Sequence, residues 1–326
     1  MADIRRIAVF TSGGDAPGMN AAIRAVVRTA SHYDLHVYGI KRGYQGMIEN
    51  DVRRLETRDV GNIIQRGGTI LKTARSKDFM NPVGRAKAYD TLKAHDIDAV
   101  IAIGGDGTYT GAMVFSEEYD IPFIGIPGTI DNDIFGTDYT IGYDTAVNTA
   151  IQAVDRIRDT ADSHNRLFFV EVMGRHSGFI ALSTGIGGGA GCILVPEYDT
   201  SIDSLCDVLK KGVYKDKLFS IVIIAEGNKN GGAAEIAQKV QEQFNFYDSK
   251  VAVIGHLQRG GAPTALDRLL ASRLGFSAVE RLLKGEKNVA LGLVNDEVIA
   301  TPFKEAISHK KDLNKELLRM ASILAL

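Results

Sequence analysis

Cysteine is nearly missing from this chain: among 326 residues only Cys192 and Cys206 occur. Both lie in segments that read as ordinary elements, which excludes a disulfide framework and a cysteine-based zinc site. Proline is scarce too, at 7 residues against 35 glycines. Glycine without proline points to tight turns and close backbone approach rather than a disordered tract. Neither sign of charge dominates, since 38 Lys and Arg face 40 Asp and Glu for a formal charge of −2. No surplus of cations exists to neutralise a polyanion, so general nucleic-acid binding is excluded and phosphate chemistry must rest on local clusters. No stretch reaches the roughly 18 consecutive apolar residues of a membrane span. Residues 1–10 carry Asp3, Arg5 and Arg6 without an apolar core, so they read as no signal peptide, and a cytoplasmic address is expected. G-x-x-x-x-G-K-[ST] is also absent, which removes the P-loop as a route to phosphate.

What is present is a regular alternation. Short apolar, β-branched runs stand at 7–10, 37–40, 99–103, 123–126, 168–172, 193–195, 221–225 and 251–254. Segments of helical period lie between them, among them 19–30, 85–94, 146–160, 204–211 and 266–283. Continuous apolar strands alternating with helices predict parallel sheets covered on both faces. The length exceeds what one core usually carries, and the second half repeats the strand–glycine–helix plan of the first. The expected fold class is therefore α/β: two similar Rossmann-like domains, with mainly parallel sheets and a cleft between them. In such sheets ligands bind beyond the carboxyl ends of the strands.

The glycine-rich motifs fall at those ends. Thr11-Ser12-Gly13-Gly14-Asp15 follows the first run, Gly104-Gly105-Asp106-Gly107-Thr108 the third, and Pro127-Gly128-Thr129-Ile130-Asp131-Asn132-Asp133 the fourth. Met173-Gly174-Arg175, Glu226-Gly227 and Gly255-His256 follow later runs. Glycines between a strand and a helix let backbone N–H groups approach a phosphate chain, where the helix N-terminus favours negative charge. Asp106 among them can hold Mg²⁺ against the phosphates. The bland alternative is a strand–helix turn with an Asp cap, and other nucleotide-using kinases carry a similar Gly-Gly-Asp-Gly-Thr. Arg75 could bridge phosphate oxygens with its planar fork, although a lone Arg is more often a surface residue.

Asp131 and Asp133 alternate with Ile130 and Asn132, so an extended backbone would point both carboxylates to one side. One can then accept a hydroxyl proton while the other organises metal, water or neighbouring residues. The alternative is an Asp/Asn-rich loop that holds its own turns. Arg166, Arg175, Lys250, His256 and Arg259 lie at or near strand ends in the second half and suit a phosphorylated sugar. Glu226 could accept from sugar hydroxyls. Each would singly read as a solvated charge; their shared placement gives them weight.

Together, residues 11–24, 104–107, 127–133, 172–175 and Gly-His-Leu-Gln-Arg-Gly-Gly at 255–261 resemble the bacterial ATP-dependent 6-phosphofructokinases, in family order from about 5 to about 300. The resemblance implies transfer of the γ-phosphoryl group of Mg·ATP to the 1-hydroxyl of fructose 6-phosphate. It implies an ATP-binding domain of 1–141 plus about 257–303, and a sugar-phosphate domain of 142–256 plus about 304–326. Gly14, Arg75, Ser76, Gly105, Asp106, Gly107 and Thr108 would bind ATP, with Asp106 on Mg²⁺. Asp131 would be the general base, with Thr129 beside it near the 1-hydroxyl, and Arg75 and Arg175 would gather charge. Met173, Gly174, Arg175 and Glu226 would line the sugar; Arg166, Lys250, His256 and Arg259 would bind its 6-phosphate. The family's equivalents of Arg166 and Lys250 reach in from a neighbouring subunit, which implies a homotetramer with shared sites.

Relatives that use pyrophosphate resemble this chain but carry Asp at position 107 and Lys at 128; glycine at both favours ATP. Lys250 stands where the family usually has Arg, losing the bidentate fork. Arg24, Arg28, Arg158, Lys215 and Lys217 match cations that bind a regulatory ADP or phosphoenolpyruvate. Gly191 replaces the acidic residue and Thr57 an Arg of that site, so an altered allosteric response is expected. The competing readings are a pyrophosphate-dependent enzyme and a non-catalytic sugar-phosphate sensor. A lipid or NAD kinase would share Gly-Gly-Asp-Gly but explains neither residues 129–133 nor 256–259.

Overall fold

The computed structural model describes residues 4–163, 166–214 and 220–325. The elements run β1 (Arg6–Thr11), α1 (Met19–His32), β2 (His36–Ile40), α2 (Gly43–Ile48), β3 (Val52–Leu55), α3 (Pro82–Ala94), β4 (Ala99–Gly104), α4 (Asp106–Tyr119), β5 (Phe123–Pro127) and α5 (Tyr143–Asp162). They continue with β6 (Arg166–Val172), α6 (Phe179–Gly187), β7 (Cys192–Leu194), α7 (Ile202–Tyr214), β8 (Ser220–Ala225), α8 (Ala233–Gln243) and β9 (Asp248–Val253). The last are α9 (Ala265–Leu283), β10 (Val289–Val294), β11 (Glu297–Pro302), α10 (Phe303–Ser308) and α11 (Lys315–Leu324).

The chain forms two compact units. The first holds residues 1–130, 134–145 and 259–311; the second holds 131–133, 146–258 and 312–326. Relative to the division implied by resemblance, residues 131–133 and 257–258 go with the second unit, and 142–145 and 304–311 with the first.

The first unit is built on a seven-stranded sheet of order β11-β10-β5-β4-β1-β2-β3. Its five inner strands are parallel, and the edge strands β3 and β11 run antiparallel to their neighbours. Every residue of β4 and β5 is buried, which is why both read as unbroken apolar runs. An aromatic core of Phe10, Tyr44, Phe79, Tyr109, Phe115 and Phe303 fills the space against α4 and α10. The chain leaves β1 toward β2 on one side and returns to β4 on the other. Adjacent strands with diverging connections open a crevice at their carboxyl ends, the usual ligand position in an open parallel sheet.

The second unit has a four-stranded sheet of order β7-β8-β6-β9, parallel throughout. β8 is buried along its whole length, and Leu167, Phe169, Leu205, Ile224 and Ile236 form the core beneath α7 and α8. β9 is an edge strand and exposes Val251 and Val253. Among the described residues no helix is long and apolar enough to cross a membrane.

Candidate active site

In the first unit the loops leaving β1, β4 and β5 are joined through their main chains. Thr11 pairs with Ile103 across the β1–β4 ladder, and just beyond it Ser12 N donates to Ile103 O at 2.9 Å. Gly128 N donates to Gly104 O at 3.0 Å. Gly104 cannot carry a side chain, because a Cβ there would lie 2.3 Å from Thr108 Oγ1 and 2.7 Å from Ser12 O. α4 begins immediately afterwards, so its first amide groups and partial positive charge face the crevice. Asp106 and Gly107 are exposed at that helix start. Gly107 has nothing within 4 Å of where a Cβ would stand, whereas a Cβ at Gly128 would lie 2.9 Å from Ile103 Cγ2 and 3.1 Å from Met19 Cε. Thr129 O accepts from Thr140 Oγ1 at 2.6 Å.

Arg75 is exposed and makes no ion pair among the described residues. Ser76 Oγ donates to Gln45 Oε1 at 2.7 Å and accepts from Phe79 N at 3.1 Å, which turns the chain into the 3-10 turn Asp78–Met80. Arg85, only 8% exposed, braces that turn: its guanidinium donates to Phe79 O at 3.1 Å and Met80 O at 2.9 Å. Glu118 meets the same guanidinium through two bonds of 2.6 Å, and this pairing raises the arginine's pKa and lowers the carboxylate's. Tyr44 stacks on Phe79 with ring centroids 4.0 Å apart and donates to Thr108 O at 2.6 Å. The Arg75 segment and the Gly-Gly-Asp-Gly-Thr loop are thus held through one buried tyrosine. From the sequence Arg85 reads as a solvated helix cation, and nothing in its neighbours signals this brace.

Arg259 also belongs to the first unit. Its Nη1 donates to Asp15 O at 3.1 Å, and a Cβ at Gly14 would lie 2.5 Å from the same nitrogen. It covers the first glycine loop.

In the second unit Asp131 is 2% exposed, and its Oδ2 lies 3.6 Å from Arg175 Nε. Ser177 Oγ donates to Asp131 O at 2.9 Å and approaches Gly174 O at 3.1 Å. Gly174 and Arg175 both have positive φ, +145° and +51°, so the main chain turns sharply and presents the Arg175 side chain half-exposed. Glu226 Oε1 braces this turn, accepting from Arg175 N at 2.7 Å and Gly174 N at 3.3 Å. Gln258, fully buried, accepts from Met173 N at 2.8 Å and donates to Ala146 O at 3.3 Å. Its place between His256 and Arg259 was the only hint, and it did not single out the amide.

The expected alternation at 130–133 is not observed. Asn132 takes φ +53°, so the backbone is not extended; Asp131 is buried while Asp133 is partly exposed. Asn tolerates the left-handed region, and one such residue breaks a period of two.

Arg166 and Lys250 converge on Asp248, at 3.1 Å from Arg166 Nε and 2.9 Å from Lys250 Nζ. Those bonds, Lys250 first, lower the pKa of Asp248. Arg166 opens β6 and Val172 closes it. At roughly 3.3 Å per residue, Arg166 stands about 20 Å from the Met173–Arg175 turn, so the structure does not bring it to the turn of its own chain. His256 is exposed in the 3-10 turn Gly255–Arg259, beyond the carboxyl end of β9.

Of the regulatory candidates, Arg24 and Arg28 lie one helical turn apart on α1, and burial and then the neighbouring Arg28 lower the Arg24 pKa. Arg158 donates to Gly188 O and, at 2.9 Å, to Gly189 O in the second unit. Gly191 is buried beside β7, and Thr57 follows β3. Lys215 and Lys217 lie outside the described residues.

The phosphofructokinase family model matches residues 6–282. The chain is 57% identical over 323 residues to ATP-dependent 6-phosphofructokinase 1 of Thermus thermophilus, covering 99% of this chain and 100% of that one. Among solved structures, phosphofructokinase from Saccharomyces cerevisiae superposes with a TM-score of 0.89 at 36% identity, covering 93% of this chain, which spans 45% of the yeast chain. A pyrophosphate-dependent phosphofructokinase from Marinobacter aquaeolei reaches a TM-score of 0.85 at 25% identity, covering 96% of this chain and 86% of that one. On the family match and the near-complete coverage of the Thermus relative, this chain belongs to the phosphofructokinase family.

Proposed function

We propose that this chain transfers the γ-phosphoryl group of Mg·ATP to the 1-hydroxyl of fructose 6-phosphate, giving fructose 1,6-bisphosphate. The observation that carries the reading is the pair formed by buried Asp131 and Arg175, 3.6 Å apart on a turn braced by Glu226 and Ser177. Asp131 accepts the hydroxyl proton as the oxygen attacks, and Arg175 and Arg75 gather the charge of the moving phosphoryl. The phosphate chain of ATP rests on main-chain N–H groups at Gly14, Gly105 and Gly107, with Ser76 and Thr108 beside it, the Thr108 N–H being donated to Gly105 O at 2.8 Å. Met173, Gly174 and Glu226 line the sugar, and Thr129 lies near its reacting end.

Among the described residues no group of three or more His, Cys, Asp or Glu could hold a metal ion. A single exposed carboxylate, Asp106, at a helix start would hold Mg²⁺ that arrives with the phosphates. When bound, the ion neutralises charge on the donor. The fold does not choose the donor, since a pyrophosphate-dependent relative shares it. Gly107 argues for ATP: the open space before it would receive a nucleotide's α-phosphate, where a carboxylate would repel it.

Arg166, Lys250 and His256 are assigned to the 6-phosphate, with Arg259 at the border of the first glycine loop. The distance of Arg166 from the Arg175 turn supports its reaching a neighbouring chain's sugar, hence a cytoplasmic homotetramer with shared sites. An ADP or phosphoenolpyruvate effector would meet Arg24, Arg28 and Arg158, with a response altered by Gly191 and Thr57.

The test is ADP release by purified protein with Mg·ATP and fructose 6-phosphate, against ATP with unphosphorylated fructose. Sugar-phosphate-dependent turnover is expected. Saturable binding of both ligands without turnover would replace the reading with a sensor.

A further inference from the structure

Between β3 and the Asp78–Met80 turn the chain runs through residues 56–77 without a helix or a strand, and Arg75 lies near the end of that run. A connection of this length in a compact unit is uncommon, and it keeps one course only where side chains hold it. Asn20, in the first turn of α1 and 1% exposed, is such a side chain. Its Nδ2 donates to Arg66 O at 3.1 Å and to Gly67 O at 3.2 Å, while its Oδ1 accepts from Ile70 N at 2.8 Å. One amide thereby closes the turn 66–70, in which Gly68 takes φ +63°. Gly67 admits no side chain, because a Cβ there would lie 2.3 Å from Gly261 O.

A second anchor follows directly. Thr11 Oγ1 donates to Lys72 O at 2.9 Å. That uses its only hydrogen, so in the 2.9 Å contact with Thr69 Oγ1 the Thr69 hydroxyl is the donor. Thr69 Oγ1 in turn accepts from Leu71 N at 3.2 Å, and the carbonyl of fully buried Leu71 accepts from Arg42 N at 2.8 Å. Beyond Lys72 only Thr73 and Ala74 precede Arg75, and Ser76 is fixed from the other side by Gln45 and Phe79. Exposed Arg75 is therefore carried on a short span between two fixed points.

We infer that Asn20 is a positioning residue for phosphoryl transfer: its amide fixes the 66–70 turn and, through it, the place of Arg75. The task calls for an amide, since one side chain must give two hydrogens to carbonyls and accept one from an N–H. Aspartate would keep only the acceptance, and alanine would leave all three main-chain groups without that partner. This role rests on the charge-gathering proposed for Arg75, while the placement of residue 75 is measurable without turnover.

Two measurements test it. In a Cys192→Ser, Cys206→Ser protein a nitroxide is attached at Arg75→Cys, and its spin-resonance spectrum is recorded with and without Asn20→Ala. Loss of Asn20 is expected to shorten the label's rotational correlation time about twofold or more, as the span gains loop motion. Steady-state kinetics then forms a double-mutant cycle in the chain with Arg75 native or replaced. Asn20→Ala lowers kcat about 10- to 100-fold, the scale of a misplaced catalytic group, but costs less than about twofold in an Arg75→Ala background. An asparagine that serves stability alone would cost the same factor in both. Should Asn20→Ala fail to fold, Thr11→Val frees the same span at Lys72 and is expected to give the same label mobility and the same non-additivity. An unchanged label spectrum, or equal losses in both backgrounds, overturns the positioning role and leaves the proposed function standing. Wild-type turnover by Arg75→Ala would remove the arginine from the transfer step, and the role of Asn20 with it.

Discussion

The two units reach their candidate sites by opposite means. The first builds its candidate crevice from main chain: Ser12 N on Ile103 O, Gly128 N on Gly104 O, and the opening amides of α4. The second builds with ionisable side chains: Asp131 beside Arg175, Glu226 under the same turn, and Asp248 holding Arg166 and Lys250. A site of amides is specified by where a Cβ cannot fit; a site of side chains is specified by charge and geometry. The first should fail by steric change and the second by change of charge, each with its own ligand.

The sharpest break is expected at Asp131. Asp131→Asn keeps the shape and removes the proposed base, so kcat should fall about 10²–10⁴-fold with little change in either KM. Steady-state kinetics on both substrates decides it, and near wild-type turnover would remove Asp131 from the role. Gly104→Ala is the counterpart in the other unit. A methyl group there is 2.7 Å from the Ser12 carbonyl and 2.3 Å from Thr108 Oγ1. Overpacking of about 1–3 kcal/mol predicts kcat/KM for ATP down roughly 10–100-fold, with fructose 6-phosphate binding by calorimetry unaffected.

Asp267 is the exception that sharpens the contrast: a buried carboxylate in the main-chain-built unit. It accepts from Gly142 N and Thr145 N, both at 2.8 Å, and from Thr145 Oγ1 at 2.5 Å. Asp267→Ala leaves those donors unmet and should cost about 1–3 kcal/mol in a denaturant titration. Burial raises the Asp267 pKa above that of the unfolded chain. The folded state therefore binds the proton more tightly. The stability linked to this proton is complete below the ordinary Asp range and is lost as pH rises through the raised value. Asp267→Asn should flatten that part of the pH profile. The smallest effect is at Lys250: Lys250→Arg restores a planar fork and should lower KM for fructose 6-phosphate about two- to fivefold, leaving KM for ATP alone.

The strands of both inner sheets were legible because strands buried on both faces read as unbroken apolar runs, as β4, β5 and β8 do. β10 and β11 were missed, although Asn295 and Asp296, both at positive φ between them, are hairpin residues. The glycine loops were legible because their chemistry is local. The braces were not: Arg85 on the Asp78–Met80 turn, Tyr44 under Thr108 and Gln258 on Met173 act through distant partners. Alternation misled at 130–133 because a single left-handed Asn132 redirects the chain. The placement of Arg259 over Gly14 likewise needed the fold, since the two residues are far apart in the chain and their contact is not local.

The most direct test of the central claim, an open main-chain crevice that takes a nucleotide, is donor choice. Turnover of fructose 6-phosphate by the purified chain is compared with Mg·ATP and with Mg·pyrophosphate at matched concentrations. The account predicts fructose 1,6-bisphosphate and ADP in equal amounts with ATP, and no product with pyrophosphate. Turnover with pyrophosphate and none with ATP would contradict it.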